Sequence, residues 1–529
     1  ADANFAVTLS VTSYSSSRRY YFAEVSLGAP PQDFNVLIDT TTSNVVVPSE
    51  QCFPCSFIQE DMKYNVSESG TVEPFVCGID CPHNSCGPND GPNCWYFTIG
   101  AFSDRSDFEM AGTLVREFVH TKGTLYPGGG KKNLVTKADV GLMQVETGFT
   151  YPTPINGVLG LAYPSMALEF TNSFLEDIWS LTAITYKQFG LCMCPFSGSL
   201  NFGAMTEVLP CQVIDKSIQW SPILQRTLYS LFVESIVVGN DTATSTSSIL
   251  NPLIVNTAQK DIFVNPSLYQ VLKMGLTSVC ESVRVKGLCD DTANLYTGYC
   301  FYLSEEDLSL YPIIEIRIDG AQLKLGPEHY LVELEGRRCL GIEKTSIDGM
   351  VLGINALRDY YLAFSLDKAL IGFAEKLCLD ADYVLHYVSG DEQDGFILTE
   401  LDNPLVVYVE DANTGGPAAN VSVSFSLGQG SGVLNAMTVT DENGYAHAEL
   451  KFGLARGEHV VVATVDRARG SPQLFFSECT DNAWPGIIDM ISCAILVTAV
   501  GAAWFYTSFV LKQLDAEEAL REREGSLVQ

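Results

Sequence analysis

Two stretches far apart in the chain repeat one pattern, and any fold must accommodate both copies. Val36-Leu37-Ile38-Asp39-Thr40-Thr41 is an apolar run ending in an acid and two threonines, and Val158-Leu159-Gly160 follows downstream. Leu253-Ile254-Val255-Asn256-Thr257-Ala258 has the same form, followed in turn by Val351-Leu352-Gly353. A pattern used twice marks a duplicated supersecondary unit. Around the copies, residues 1–378 are short β-branched runs broken by Gly, Pro and Asn, which predicts an all-β region. The runs 167–184 and 266–274 read as helices.

Residues 20–48, YYFAEVSLGAPPQDFNVLIDTTTSNVVVP, closely resemble the first active-site region of pepsin-like aspartic proteases. INGVLGLAYPS (155–165) resembles the strand and turn packed behind that loop, and 349–374 resembles the closing strands of the family. The cysteine-rich insert (52–94) is similar to inserts in its plant and protozoan branches. The resemblance implies a mainly β, bilobal pepsin-like double β-barrel, with lobes at 1–195 and 196–378. It also suggests a disulfide between Cys300 and Cys339.

Aspartic proteases hold a water between two carboxylates that share one proton. One takes a proton from the water and the other protonates the carbonyl oxygen. The resemblance places these groups at Asp39 and Asn256. An amide is neither acid nor base near neutral pH, so the shared-proton mechanism is lost. Without a charged neighbour, Asp39 is expected to behave as an ordinary hydrogen-bonded carboxylate. The glycines of the two family loops are replaced by Thr41 and Ala258, whose Cβ atoms should crowd the substrate path. No tyrosine stands at the expected flap position in FTIGAFSDRSDFEMAG (97–112). Thr40 and Thr257 stand where the family threonines bond across the loops, and Thr42 can supply a hydroxyl to Asp39. Scaffold kept with chemistry removed implies a pseudoenzyme and no functional catalytic residue. The competing reading is a divergent protease that draws its second carboxylate from elsewhere.

Sixteen cysteines fit an oxidising compartment. Cys52, Cys55, Cys77, Cys81, Cys86 and Cys94 cluster in an acidic loop rich in Pro, Gly and Asn, which favours disulfides over zinc. Sequons at Asn65, Asn240 and Asn420 agree with a secreted, glycosylated chain. Cys192 and Cys194 cannot be assigned a partner. Cys493 lies in an apolar segment, which leaves an odd number outside; Cys479 is a candidate for an intermolecular bond or a free thiol. His83 and His120 lack a zinc-ligand spacing, and the acidic turns at Asp290-Asp291 and Asp441-Glu442 match no calcium loop. No metal, cofactor or nucleotide is expected. Acidic residues number 63 against 31 basic ones, a formal charge of −32, which opposes binding to nucleic acid.

Residues 401–478 alternate apolar and polar residues in short strands, with a turn at Asp441-Glu442-Asn443-Gly444. That pattern predicts a β-sandwich, and it resembles the immunoglobulin-like repeats of invasin-type adhesins. Residues 379–400 read as a linker. The run from Ile487 to Leu511 carries one charge, Asp489, and is long enough to span a bilayer. With Trp484 at its entry it predicts one transmembrane α-helix (484–511), followed by a charged cytosolic tail (512–529). Ala499, Gly501, Ala502 and Ala503 offer a small-residue face for a second membrane protein. A signal peptide is expected to have been removed ahead of Ala1.

Together these features predict a single-pass type I membrane glycoprotein, N-terminal part extracellular or lumenal. Its protease-like region would be a non-catalytic binding or structural subunit that engages protein partners. An active membrane-anchored aspartic endopeptidase and an adhesin working through the sandwich are the alternatives.

Overall fold

The computed structural model describes residues 4–13, 19–53, 55, 62–87, 91–99, 109–126, 130–147, 154–181, 186–203, 211–213, 218–290, 292–436 and 439–480. The apolar segment 484–511 and the tail 512–529 lie outside the described residues. Among the described residues no helix is long and apolar enough to cross a membrane. The chain divides into two units: 1–384 with 411–416 and 466–469, and 385–410 with 417–465 and 470–529.

The first unit is mainly β. A fifteen-stranded sheet is joined by sheets of five, four and two strands. The duplicated pattern has a direct structural meaning here. Strand Gln32–Asp39 runs parallel to Gly157–Gly160, with Leu37 opposite Val158 and Asp39 opposite Gly160. Leu253–Val255 runs parallel to Met350–Leu352 in the same way, with Val255 opposite Leu352. The apolar residues of these strands are buried, and a strand covered on both faces reads as a continuous apolar run. The glycines are required by close approach. A Cβ on Gly160 would lie 2.5 Å from the Ser43 nitrogen, and one on Gly353 would lie 2.5 Å from the Asp261 carbonyl oxygen. Each active-site-like loop therefore passes directly over the end of a glycine-terminated strand.

The helix expected over 167–184 is shorter, Phe174–Trp179. Ser173 caps it, accepting from the Glu176 N–H while the Glu176 side chain reaches back to Ser173. Such a capping box sets the first turn, and Phe170 just upstream has φ +69°, outside helical space. The second expected helix is present and longer, Pro266–Thr277, capped by Asn265 and burying Leu268, Leu272 and Leu276.

The insert is stapled by Cys52–Cys55, Cys77–Cys86 and Cys81–Cys94. Its segment from Tyr64 to Thr71 is tied to the long strand Glu109–Tyr126 by a single buried acid, Glu117. Glu117 accepts from the hydroxyls of Tyr64 (2.7 Å), Ser69 (2.7 Å) and Thr71 (2.6 Å) and from the Phe118 N–H (2.6 Å). These donors hold its carboxyl below the usual range although burial pushes the other way. Elsewhere the disulfides are Cys192–Cys211, Cys194–Cys378, Cys280–Cys289 and Cys300–Cys339.

The second unit contains two sheets. Tyr445–Phe452 lies between Gly432–Ala436 and Leu405–Asp411. Gln473–Thr480 lies between Gln393–Phe396 and Gly457–Thr464, with Ser424–Gln429 beyond. Ala446, Ala448, Leu450 and Phe452 are buried while the residues between them are exposed. Phe452 packs edge-on against His459 of the other sheet at 4.8 Å, so the inward faces share one core. Residues 379–400, expected as a linker, instead carry the strands Tyr383–Ser389 and Gln393–Phe396. The apolar positions there, such as buried Leu385, serve sheet packing.

Candidate active site

Asp39 ends a strand whose last four residues, Val36 to Asp39, are buried, and is itself 5% exposed. Its Oδ1 accepts from the Thr41 N–H at 2.7 Å and the Thr41 hydroxyl at 2.6 Å. Its Oδ2 accepts from the Thr42 hydroxyl at 2.9 Å. Thr41, which replaces a small residue, thus folds its side chain back onto the carboxylate. Burial pushes the Asp39 carboxyl above its ordinary value, against the pull of these donors. The expectation of an ordinary carboxylate is corrected accordingly. Losing a charged neighbour removes one upward push, but desolvation alone also disfavours the ionised form.

Asn256 occupies the matching position in the second copy and is 2% exposed. Its Oδ1 accepts from the Ala258 N–H at 2.9 Å, the same two-residue geometry that Thr41 makes with Asp39. That bond commits the oxygen inward and leaves the amide NH2 where a carboxylate would have its second oxygen. An NH2 group donates but cannot accept a proton. Ala258 packs against the buried Tyr20, Phe22, Leu37 and Ile155.

The threonines lock the two loops together. The Thr40 hydroxyl donates to the Val255 carbonyl at 3.0 Å and accepts from the Thr257 N–H at 3.1 Å. The Thr257 hydroxyl donates to the Ile38 carbonyl at 2.8 Å. Behind the second loop, Asn355 Nδ2 donates to Asp261 Oδ1 at 3.0 Å, both side chains buried. Sequence reasoning missed this pair; its only signal is a polar residue two places after Gly353 in an otherwise apolar segment.

The flap region is a hairpin. Trp95–Ile99 pairs with Glu109–Tyr126, Phe97 opposite Ala111. Residues 100–108 lie outside the described residues. The sequon residues fall at turns. Asn65 is half-buried and caps a short turn, accepting from the Ser67 N–H and hydroxyl. Asn240 and Asn420 are exposed, the latter at φ +58°. His83 Nδ1 lies 3.5 Å from the Cys77 sulfur, which is bound to Cys86.

The profile of the family described as "Eukaryotic aspartyl protease" matches residues 20–75 and 109–376. Among curated proteins, gastricsin of Homo sapiens is 25% identical over 365 residues, covering 67% of this chain and 81% of that protein. Gastricsin of Mus musculus is 24% identical over 368 residues, covering 67% and 80%. Pepsin B of Canis lupus familiaris is 25% identical over 369 residues, covering 67% and 81%. The family match leaves out 76–108, which holds four of the six cysteines of the insert: Cys77, Cys81, Cys86 and Cys94.

Proposed function

The chain belongs to the eukaryotic aspartyl protease family, and from that premise we propose that it is a catalytically silent member, a binding or structural subunit. The first unit carries a pepsin-like fold with a β-barrel. The observation behind the reading is Asn256, whose amide stands where the mechanism needs a carboxylate and whose oxygen is already bonded to Ala258. The lone Asp39 can hold or release a proton, but the proton-sharing that sets two carboxylates apart requires two acids. Thr41 and Ala258 add Cβ atoms beside it. The cross-bonded threonines keep the loops paired, so the cleft survives as a rigid surface for a protein partner.

The rest of the proposal follows the sequence. Segment 484–511 anchors the chain as a single-pass type I membrane protein, with its tail in the cytosol and its small-residue face against a second membrane protein. The second unit, an immunoglobulin-like sandwich in this reading, is the stalk. Asn240 and Asn420, both exposed, are the most accessible acceptors for glycans. The adhesin alternative is separated by deleting 401–478 while keeping the anchor. Lost cell adhesion would favour the adhesin reading.

The direct test incubates the full chain with a peptide library and recovers the peptides by mass spectrometry. Bound peptides should return intact. Cleavage that disappears in an Asp39→Asn variant would establish an active protease instead.

A further inference from the structure

Away from the two loops, the cysteine-rich insert forms one wall of a recess of about 350 Å³. Strand Trp95–Ile99 and the turn Pro164–Met166 with the residues after it form the others. Its volume is at the small end for ligand sites, which suits one side chain better than a folded ligand. Its accessible lining is more polar than apolar; Trp95, Phe97 and Met166 supply the apolar part, and Phe97 is 56% exposed. Glu169 brings an exposed carboxylate and Asn84 an amide. Tyr96 also lines it; its ring is buried, and its hydroxyl has no hydrogen-bond partner among the described residues. No basic residue is among the lining residues described.

We propose that this recess takes a lysine or arginine side chain presented by the protein partner. The inference rests on the non-catalytic binding reading and names the chemistry that such a partner brings. A long basic side chain can lay its aliphatic stem along Met166 and the two rings while its charge stays near water. A cation there would lie beside the aromatic rings of Trp95 and Phe97, whose π-systems attract positive charge, and near the Glu169 carboxylate. The formal charge of −32 draws a basic partner at long range. A purely apolar occupant would strip water from the Glu169 carboxylate without offering it a counter-charge.

The test titrates the full chain with blocked pentapeptides carrying arginine, citrulline or norleucine at the centre. Citrulline keeps the shape of arginine without its charge. Arginine should bind about tenfold tighter than citrulline, and Glu169→Gln should bring the two within about twofold. Glu169 is exposed, so this variant should fold normally. Equal affinity for arginine and citrulline, tighter binding of norleucine, a preference unchanged by Glu169→Gln, or no binding at all would overturn the proposal. Mass spectrometry of the same peptides separates the two claims. Cleaved peptide refutes the non-catalytic reading, whereas the affinity order judges the recess.

Discussion

The Thr257 backbone N–H donates to the Thr40 hydroxyl at 3.1 Å, and that hydroxyl in turn donates a hydrogen bond to the Val255 carbonyl at 3.0 Å. One side chain therefore satisfies two buried backbone groups of the opposite loop. A buried donor or acceptor left unmade costs about 1–3 kcal/mol. Thr40→Val keeps the shape, removes both bonds and should lower unfolding stability by about 2–4 kcal/mol, read in denaturant titrations. A loss under about 0.5 kcal/mol would mean that the loops are held by something else.

Glu117 is a second such node. Its carboxylate is fully buried and accepts from Tyr64, Ser69 and Thr71. Glu117→Ala strands three hydroxyls and should cost about 3–4 kcal/mol. Because the donors lie on the insert side, amide exchange should rise first at 64–71. Uniform loosening of the whole unit would contradict this assignment.

Stability should fall as pH rises from about 5 to 7. Desolvation pushes the buried Glu146 from 4.5 to about 7, and burial with the charge of Asp139 pushes Asp177 from 3.8 to about 7. A raised folded-state value contributes stability that is full below the unfolded value and is lost as pH rises through the folded one. Burial works against His329, but its bonds to Asp359 and Glu328 raise it above 6.5, so its contribution is full below that value and its loss extends the decline to higher pH. Asp359, held at about 2 by its His329 partner despite burial, works the other way and loses its contribution only in strong acid. Glu146→Gln should flatten the decline by on the order of 3 kcal/mol across that window, seen as a shallower slope of Tm against pH. An unchanged slope would refute its role.

Cys194 and Cys378 close a loop of 184 residues. A cross-link over so long a loop removes much of the freedom of the unfolded chain. Replacing both with alanine should cost about 2–5 kcal/mol in equilibrium unfolding, whereas opening the nine-residue Cys280–Cys289 link should cost less. The reverse order would contradict the loop-length account.

What could be read from the chain alone follows from packing. The loops at Asp39 and Asn256 were legible because a strand buried on both faces must be continuously apolar, and because Gly160 and Gly353 tolerate no Cβ. Glu117 was not, because an acid in a strand looks the same in sequence whether water or three hydroxyls surround it. The partner of Cys194 was hidden for a similar reason, since its mate lies on a strand brought near only by the finished sheet. The strand Tyr383–Ser389 carries no apolar–polar alternation to mark it, since only Leu385 is buried, and the raised value at Asp39 depends on a burial that spacing does not reveal.

The central claim is that the pepsin-like scaffold lacks a second acid. The most direct measurement is peptide turnover between about pH 3 and pH 7 by the native chain and by the Asn256→Asp, Thr41→Gly, Ala258→Gly variant. The account predicts no turnover by the native chain and measurable turnover by the triple variant. Turnover by the native chain that Asp39→Asn abolishes would contradict it.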